Sequence, residues 1–222
     1  MNISFFLAAY TNAIFSNDEL LKSPTYLLGD IAEIRSGITL GRPLTGKTVS
    51  LPYLRVANVQ DGYLDLSIIK EVSLLESEVD KWKLKFGDLL LTEGGDLDKL
   101  GRGTIWRGQI KNCIHQNHIF RLRVNTNEFY PEFLAAVIGS PTGKTYFQAA
   151  SKQTTNLASI NQRQLKAFPV FKPSLPAQKR ILNKLEHIRS KIDDFRTLQS
   201  QTTAKIDALL PSILDKAFKG EL

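Results

Sequence analysis

The sequence predicts an α+β protein, in which one mixed domain is followed by a long C-terminal helix that forms a coiled coil. Between residues 26 and 172, short β-type runs broken by Gly, Pro, Asn and Asp alternate with helical stretches. Two close prolines, Pro173 and Pro176, then interrupt regular structure and indicate a linker. Beyond them, apolar residues recur at alternating steps of four and three, which is the spacing of a coiled-coil seam.

Residues 1–25 precede this domain and are predicted to contain an amphipathic helix that packs on a partner surface. Its apolar residues have helical spacing: Ile3, Phe6, Leu7, Tyr10 and Ile14. The apolar run is short and has no Lys or Arg before it, which argues against a secretory signal. No stretch approaches the roughly 18–20 apolar residues of a membrane span.

Within the domain, residues 26–172, periodicity predicts strands and helices in order. The predicted strands are Ile31–Ser36, Tyr53–Val56, Asp88–Thr92, Gly103–Arg107 and Ile119–Val124. Helices are predicted at Tyr130–Ile138 and, as its continuation, through Tyr146–Ala150. Pro131 stands where a first helical turn tolerates proline. The linker is placed at residues 172–176, and residues 173–222 are assigned to the linker together with the long dimerisation helix.

The seam of the long helix predicts that two chains pair. Its apolar residues are Ile181, Leu185, Ile188, Ile192, Phe195, Ile206, Leu209 and Ile213, with Gln199 and Thr202 in the same phase at the middle. About 35 residues at about 1.5 Å each give a rod of roughly 50 Å. The alternative is a helix that folds back on its own domain. Pro211, which has no N–H to donate, predicts a kink or break near the end.

Composition favours a polyanionic partner and an intracellular setting. Lys and Arg outnumber Asp and Glu by 29 to 22, which gives a net charge of +7 and a sequence-independent attraction to polyanions. The single Cys113 excludes an intramolecular disulfide and fits a reducing compartment. We therefore expect a cytoplasmic protein.

Motifs that suggest catalysis or ligand binding are poorly supported by their surroundings. The segment from Gly41 to Thr48 matches a phosphate-binding loop, but a β-type run with a proline follows it where a helix would have to begin. Gly139–Thr145 is a shorter near-match and is interpreted as a turn between helices. Cys113, His115 and His118 lack a fourth metal ligand at suitable spacing, so we expect no metal. The chain is predicted to be non-catalytic.

Glycine-rich loops carry the residue types that read DNA. Arg and Lys bind phosphates or guanine edges, and Asn and Gln match adenine. The candidate DNA-binding residues are Arg35, Arg42, Lys47, Asn58, Lys99, Arg102, Lys152, Gln153, Thr154 and Asn156. Taken singly, each loop is equally compatible with an ordinary solvated loop.

Several segments together resemble the specificity (S) subunits of type I restriction-modification systems. Residues 26–37 resemble the start of a target-recognition domain in that family, and Pro52–Gly62 and Phe86–Thr92 resemble its internal strands. Residues 154–181 resemble its passage from recognition domain to spacer helix, and Ala217–Leu222 its C-terminal ending. The difference is length, because the usual S subunit is about twice as long, with two recognition domains and two long helices.

The resemblance implies a half-length subunit with one target-recognition domain. Such a subunit would bind double-stranded DNA at a half-site and direct methyltransferase subunits, and restriction subunits where the system has them. S-adenosylmethionine would be bound by the methyltransferase, and no cofactor by this chain. A twofold homodimer would read a palindromic, bipartite target. The alternative is a scaffold fragment that pairs with a full-length S or methyltransferase subunit and reads no DNA.

Overall fold

The computed structural model describes residues 3–15, 20, 22–95, 100–153 and 158–220. In chain order the strands of this part are β1 Thr25–Leu27, β2 Ala32–Ser36, β3 Thr48–Leu54, β4 Lys70–Leu75, β5 Leu89–Thr92, β6 Gly94–Gly95, β7 Gly103–Ile105, β8 Ile114–His115, β9 Ile119–Val124, β10 Lys152–Gln153, β11 Ala158–Ser159 and β12 Pro169–Phe171. Its α-helices are α1 Ile3–Phe15, α2 Leu28–Ile31, α3 Val79–Trp82, α4 Pro131–Ile138, α5 Pro141–Ala150, α6 Gln162–Lys166 and α7 Leu175–Phe218. Short 3-10 turns occupy Val56–Asn58 and Glu76–Glu78.

A four-stranded antiparallel sheet, in the order β2-β9-β5-β7, lies at the centre of the domain. Side chains alternate across it, so that Leu89, Leu91 and Phe120 join the main core with α4 and α5, whereas Leu90 and Ile119 face the opposite way. On that second face they pack with residues of the β4-β3-β8 sheet and its loops. The sheet is therefore covered on both faces.

The predicted α+β architecture with a long C-terminal helix is confirmed. β9 has the predicted bounds, and β2, β5 and β7 differ from prediction by one or two residues. The strand predicted at Tyr53–Val56 is wrong in extent, because β3 begins at Thr48 and Val56 starts a 3-10 turn. β4 was not predicted. No described helix combines the length and the hydropathy needed to cross a membrane.

The linker predicted at residues 172–176 is shorter in the structure, where residues 172–174 join β12 to α7. Helix α7 begins at Leu175, so Pro176 lies in its first turn. Backbone N–H groups in a first turn have no partner within the helix, so the missing N–H of proline is tolerated there. The expected break at Pro211 is also wrong, because α7 continues through it to Phe218. Pro211 is exposed, so water can bond the carbonyl that its missing N–H leaves free.

Gln178 attaches α7 to the domain. Its side chain is fully buried, and its Oε1 accepts from the backbone N–H of Tyr130 at 2.9 Å. Its Nε2 donates to the carbonyls of Glu128 at 2.9 Å and Pro173 at 3.0 Å. All the polar atoms of the buried carboxamide are thus bonded, and the bonds fix where the helix leaves the domain.

The seam of α7 divides into two parts. Ile181 and Leu185 pack against the main core of their own domain, and Ile192 is only 8% exposed. The folding-back alternative therefore holds for the first part of the helix, because this stripe finds its apolar partner within the chain. Beyond Ile192 the large apolar side chains are exposed: Phe195, Leu198, Ile206, Leu209 and Ile213. We call this exposed set the distal face.

We expect Gln178→Ala to lower the free energy of unfolding by about 3 kcal/mol, because it leaves a buried N–H and buried carbonyls without partners. Gln201→Ala, an exposed change in the same helix and outside the seam, is the matched control and should cost little. Urea unfolding of both variants measures the difference. Equal stability of the two would contradict this role of Gln178.

Candidate nucleic-acid interface

Two of the predicted DNA-binding loops meet in one small sheet. β11 pairs with β10 on one side and with β6 on the other, so the segment around 94–95 lies beside the segment around 152–159. Glycine is required at Gly94, because a Cβ there would lie 2.8 Å from the carbonyl oxygen of Ala158. Lys152 is exposed on this sheet. Lys99, Thr154 and Asn156 lie outside the described residues, as does the side chain of Gln153.

Arg102 lies next to this sheet. Its carbonyl accepts from the N–H of Thr92 at 3.1 Å, which places it at the end of β5. Its Nη1 donates to Gln60 Oε1 at 3.4 Å, and the side chain is half-buried. Gly103 is required here, since a Cβ would come within 2.1 Å of the Leu90 carbonyl oxygen. Arg102 is thus held at a rim that strand pairing defines.

A polar turn before β9 completes the group. The N–H of Asn117 donates to the carbonyl of Ile38 at 2.8 Å, and His118 Nδ1 lies 2.7 Å from Glu93 Oε2. Glu93 in turn accepts at its carbonyl from the N–H of Ile160 at 2.9 Å. We call the whole group the loop cluster. Its described members are Gln60, Glu93–Gly95, Arg102, Gln116–His118 and Lys152.

Sequence reasoning missed Gln60 and the Gln116–His118 turn. A usable signal was present, because three consecutive polar residues precede an apolar strand, and Gln and Asn have the donor and acceptor pair that matches adenine. Gln60 carries no such signal. It joins the cluster only through its contact with Arg102, which is 42 positions away.

Three predicted basic residues are paired within the chain. Arg35 Nε lies 2.5 Å from Glu33 Oε1, and Lys47 Nζ lies 3.0 Å from Glu76 Oε1. Arg42 donates to Glu78, and this hydrogen bond raises the pKa of Arg42. The partners of Arg42 and Lys47 belong to the 76–78 turn, outside the loop cluster. Because these pairs are partly exposed, DNA phosphates could still compete for the cations.

Asn58 has a structural position. It is 3% exposed, its Oδ1 accepts from the N–H of Arg55 at 2.8 Å, and its Nδ2 donates to the carbonyls of Asp65 and Ile68. The carboxamide therefore holds the 3-10 turn together and offers nothing to a base in this conformation. We do not include Asn58 in the loop cluster.

The segment resembling a phosphate-binding loop joins two strands. Residues 41–47 run between β2 and β3, and Thr48 begins β3, so the segment leads into a strand and not into the helix that a phosphate-binding loop requires. This agrees with the prediction of a loop between strands. The turn predicted at Gly139–Thr145 is shorter in the structure, because only Gly139 and Ser140 separate α4 from α5, and Ser140 caps α5 by accepting from the N–H of Gly143.

Cys113 and His115 are both buried, whereas His118 is exposed and pairs with Glu93. Burial raises the pKa of the Cys113 thiol to about 12. Among the residues that the structure describes, no three His, Cys, Asp or Glu side chains form a group suited to a metal ion.

Buried charges lie under the second face of the central sheet. Arg123 forms a bidentate pair with the fully buried Asp88, at 2.6 and 2.7 Å, and this hydrogen bonding raises the pKa of Arg123. Arg121 is 2% exposed, its Nη2 lies 3.1 Å from Glu33 Oε1, and burial lowers its pKa. Burial, aided by the charge of Arg121, lowers the pKa of His115 to about 3.

Comparison with known proteins identifies the fold. A family described as "Type I restriction modification DNA specificity domain" matches residues 22–205. The specificity subunit of the type I restriction enzyme EcoKI from Escherichia coli (strain K12) is 29% identical over 194 residues, which are 86% of this chain and 41% of that protein. The StySPI specificity subunit from Salmonella potsdam is 25% identical over 195 residues, with 86% and 41% covered.

Solved structures agree with this match. A structure from a study of complex assembly and conformational transition in the type I R-M system superposes with a TM-score of 0.69 at 18% identity, over 100% of this chain and 53% of that chain. The HsdS subunit from Thermoanaerobacter tengcongensis gives a TM-score of 0.61 at 19% identity, over 100% and 52%.

A mixed domain with loops gathered on a small sheet, joined to one long helix, has the fold of a specificity subunit. The chain belongs to the family of type I restriction-modification DNA specificity domains. The resemblance stated from the sequence is thereby confirmed. The chain spans about two fifths of the length of the curated relatives described, 41% in each case.

His115 predicts a pH dependence of stability. Its pKa is about 3 in the fold against an ordinary 6.5, so below pH 6.5 the unfolded chain takes up a proton that the folded chain does not. The contribution of neutral His115 is therefore complete above pH 6.5 and is lost progressively as the pH falls toward 3.

We expect His115→Gln to show a smaller loss of unfolding free energy than the wild type between about pH 7.5 and pH 5, measured by denaturant titration. His118→Gln is the matched control, because it retains His115 and should keep the full loss. An unchanged pH slope in His115→Gln would argue against this assignment.

Proposed function

We propose that this chain is a DNA-specificity component of a type I restriction-modification complex, which binds a half-site and directs methyltransferase subunits to it. The observation that carries the proposal is the convergence of separate polar loops in the loop cluster. Strand pairing and hydrogen bonds bring together segments that are distant in the chain, near 60, 94, 102, 117 and 152. Recognition of a DNA sequence requires side chains that contact base edges and side chains that contact phosphates, held in a fixed arrangement.

The residue types of the loop cluster divide between the two tasks. Gln60, Gln116 and Asn117 carry carboxamides that can bond the N6 and N7 atoms of adenine in the major groove. Arg102 can bond guanine or a phosphate, and exposed Lys152 suits a phosphate. The net charge of +7 adds attraction that does not depend on sequence. Lys99, Gln153, Thr154 and Asn156 remain candidates on the same segments.

The chemistry would belong to partner subunits. A methyltransferase subunit would take the target adenine out of the stack and supply S-adenosylmethionine. We propose no catalytic residue in this chain, and restriction subunits would join where the system has them. The chain's own contribution is the choice of sequence.

Two copies of the chain are proposed to pair through the distal face. Its side chains are large, apolar and exposed over five helical turns, and the polar Gln199 and Thr202 in the same phase would fix register. A twofold pair presents the same reading surface to two inverted half-sites. The target would then be a palindrome whose halves are separated by an unread gap, since the long helix exceeds the about 34–36 Å of one DNA turn.

The function is tested by mapping adenine methylation across the genome after co-expression with the methyltransferase subunit encoded beside it. We expect a palindromic, gapped motif. Arg102→Ala should reduce methylation at that motif, whereas Lys70→Ala, an exposed lysine on β4, should leave it unchanged. An asymmetric motif would indicate pairing with a different S chain, and the absence of any motif would favour the scaffold alternative.

Pairing is tested with Ile206→Asp combined with Leu209→Asp. Both side chains are exposed in the single chain, so the domain should stay folded while the buried charges dissociate the pair. Sedimentation at micromolar concentration should show a dimer for the wild type and a monomer for this variant. Thr197→Asp with Ala204→Asp places the same charges on the opposite side of the helix and should stay dimeric. A wild-type monomer, or a dimer that survives Ile206→Asp with Leu209→Asp, would contradict the proposal.

A further inference from the structure

The turn Gln60–Tyr63 lies between the loop cluster and the long helix. Val59 and Leu64 form an isolated antiparallel bridge, and the N–H of Gln60 donates to the carbonyl of Tyr63 at 3.0 Å. Gly62 has a φ of +84°, a conformation that favours glycine. The turn is therefore a tight and locally bonded unit.

On one side this turn is fixed to the reading domain. The N–H of Gly62 donates to the carbonyl of Gly103 at 3.0 Å, directly beside Arg102. Gln60 Oε1 accepts from Arg102 itself, and Asp61 Oδ2 lies 3.5 Å from Lys144 Nζ on α5. Movement of the turn would be transmitted to the loop cluster through backbone as well as side-chain bonds.

On the other side it faces α7. Asp61, Gly62 and Tyr63 form one wall of a cleft of about 250 Å³, and the opposite wall is formed by Arg189, Ile192, Asp193 and Arg196. Tyr63 is 61% exposed. The cleft lies at Ile192, the last buried side chain among those that the structure describes in α7, directly before the distal face begins.

The bonds of Gln178 and the packing of Ile181 and Leu185 hold the first turns of α7, and a second support about 21 Å beyond Gln178 limits tilting of the rest of the helix. The free part from Ile192 to Phe218 is about 39 Å long, so a rotation of about 5° would displace its end by about 3.4 Å, the rise of one base pair. The angle at this second support therefore determines where a paired domain meets the DNA.

We propose that the Gln60–Tyr63 turn is a positioning element that sets the angle between reading domain and long helix, and thereby the number of base pairs between the two half-sites. This inference rests on the proposed function. It assigns Asp61 and Tyr63 to spacing and not to the choice of bases, which belongs to the loop cluster.

The test changes the charge of one wall of the cleft. Asp61→Lys places a cation beside Lys144 and opposite a wall in which Arg189 and Arg196 outnumber the single anion Asp193, so net repulsion should push the turn away from the helix. Adding Arg189→Glu restores an attractive pair across the cleft and should reverse the effect, as in a double-mutant cycle. Glu71→Lys makes the same change of net charge at an exposed position on β4 and is the control.

The measurement is the rate of methylation, by the complex assembled with its methyltransferase subunit, of duplexes that carry two inverted half-sites with gaps one and two base pairs shorter or longer than the natural one. We expect the wild type and Glu71→Lys to prefer one gap. Asp61→Lys should raise the rate at neighbouring gaps several-fold relative to the natural gap, with the half-site bases unchanged, and Arg189→Glu should restore the preference.

An unchanged gap preference in Asp61→Lys would overturn the inference, and so would altered half-site bases, which would assign the turn to reading. If the wild type methylates no gapped inverted repeat, the proposed function fails first and this inference with it. These outcomes are distinguishable because the wild type is measured on the same duplexes.

Discussion

The buried carboxamide of Gln178 is the interaction on which the arrangement of this molecule depends. It bonds one backbone N–H and two backbone carbonyls where the chain leaves the domain and enters its long helix. A hydrophobic contact could hold the helix close but would allow it to slide or rotate, because such contacts are not directional. Three directional bonds from one rigid group fix the starting point and axis of a 44-residue helix, and a small error at this point would be magnified along its length.

The same requirement for rigidity explains the buried charges. Asp88 precedes β5 and its pair with Arg123 ties that strand to β9, in the sheet from which the loop cluster projects. A buried ion pair contributes little net stability compared with apolar residues, but it is costly to break, so it restricts the alternatives open to the sheet. Arg121 and His115 lie in the same interior, where His115 stays neutral beside a cation. The loops that we propose to read DNA thus project from a sheet whose strand register is restricted by buried ion pairs.

Periodicity predicted those parts of the fold whose partners are close in the sequence or regular in pattern. The bounds of the strand Ile119–Val124 were predicted correctly. Its arginines, Arg121 and Arg123, alternate with apolar residues and therefore lie on one face of the strand. The phase of the α7 seam was also predicted, but sequence cannot say which residues of a seam find a partner in their own chain. Ile181, Leu185 and Ile192 do so, whereas Ile206 and Leu209 do not. Pro176 was misleading because a proline disfavours a helix that continues from the preceding residues but is tolerated in the first turn of a new helix. The bonds of Gln178 to the domain fix where that first turn lies.

The sequence predicted which loops contribute to the candidate site but not all of the residues that belong to it. The loops around residues 94–102 and 152–156 were chosen for their residue types, whereas Gln60 belongs to the site only because a distant backbone brings it to Arg102. The pairing of β6, β10 and β11 is made by backbone bonds, and the described constraints on side chains there are Gly94 and the buried Ala158, so an exposed residue such as Lys152 can differ without loss of the sheet. The turn that faces α7 differs from this sheet, because side chains line its cleft and their charge and size determine how the turn meets the helix. Under the proposed function, a change in the bases that are read is compatible with an unchanged fold, whereas a change in the distance between half-sites requires a change at the helix. The proposed reading and spacing elements are different parts of the described chain, and the backbone bond between Gly62 and Gly103 and the contact between Gln60 and Arg102 join them.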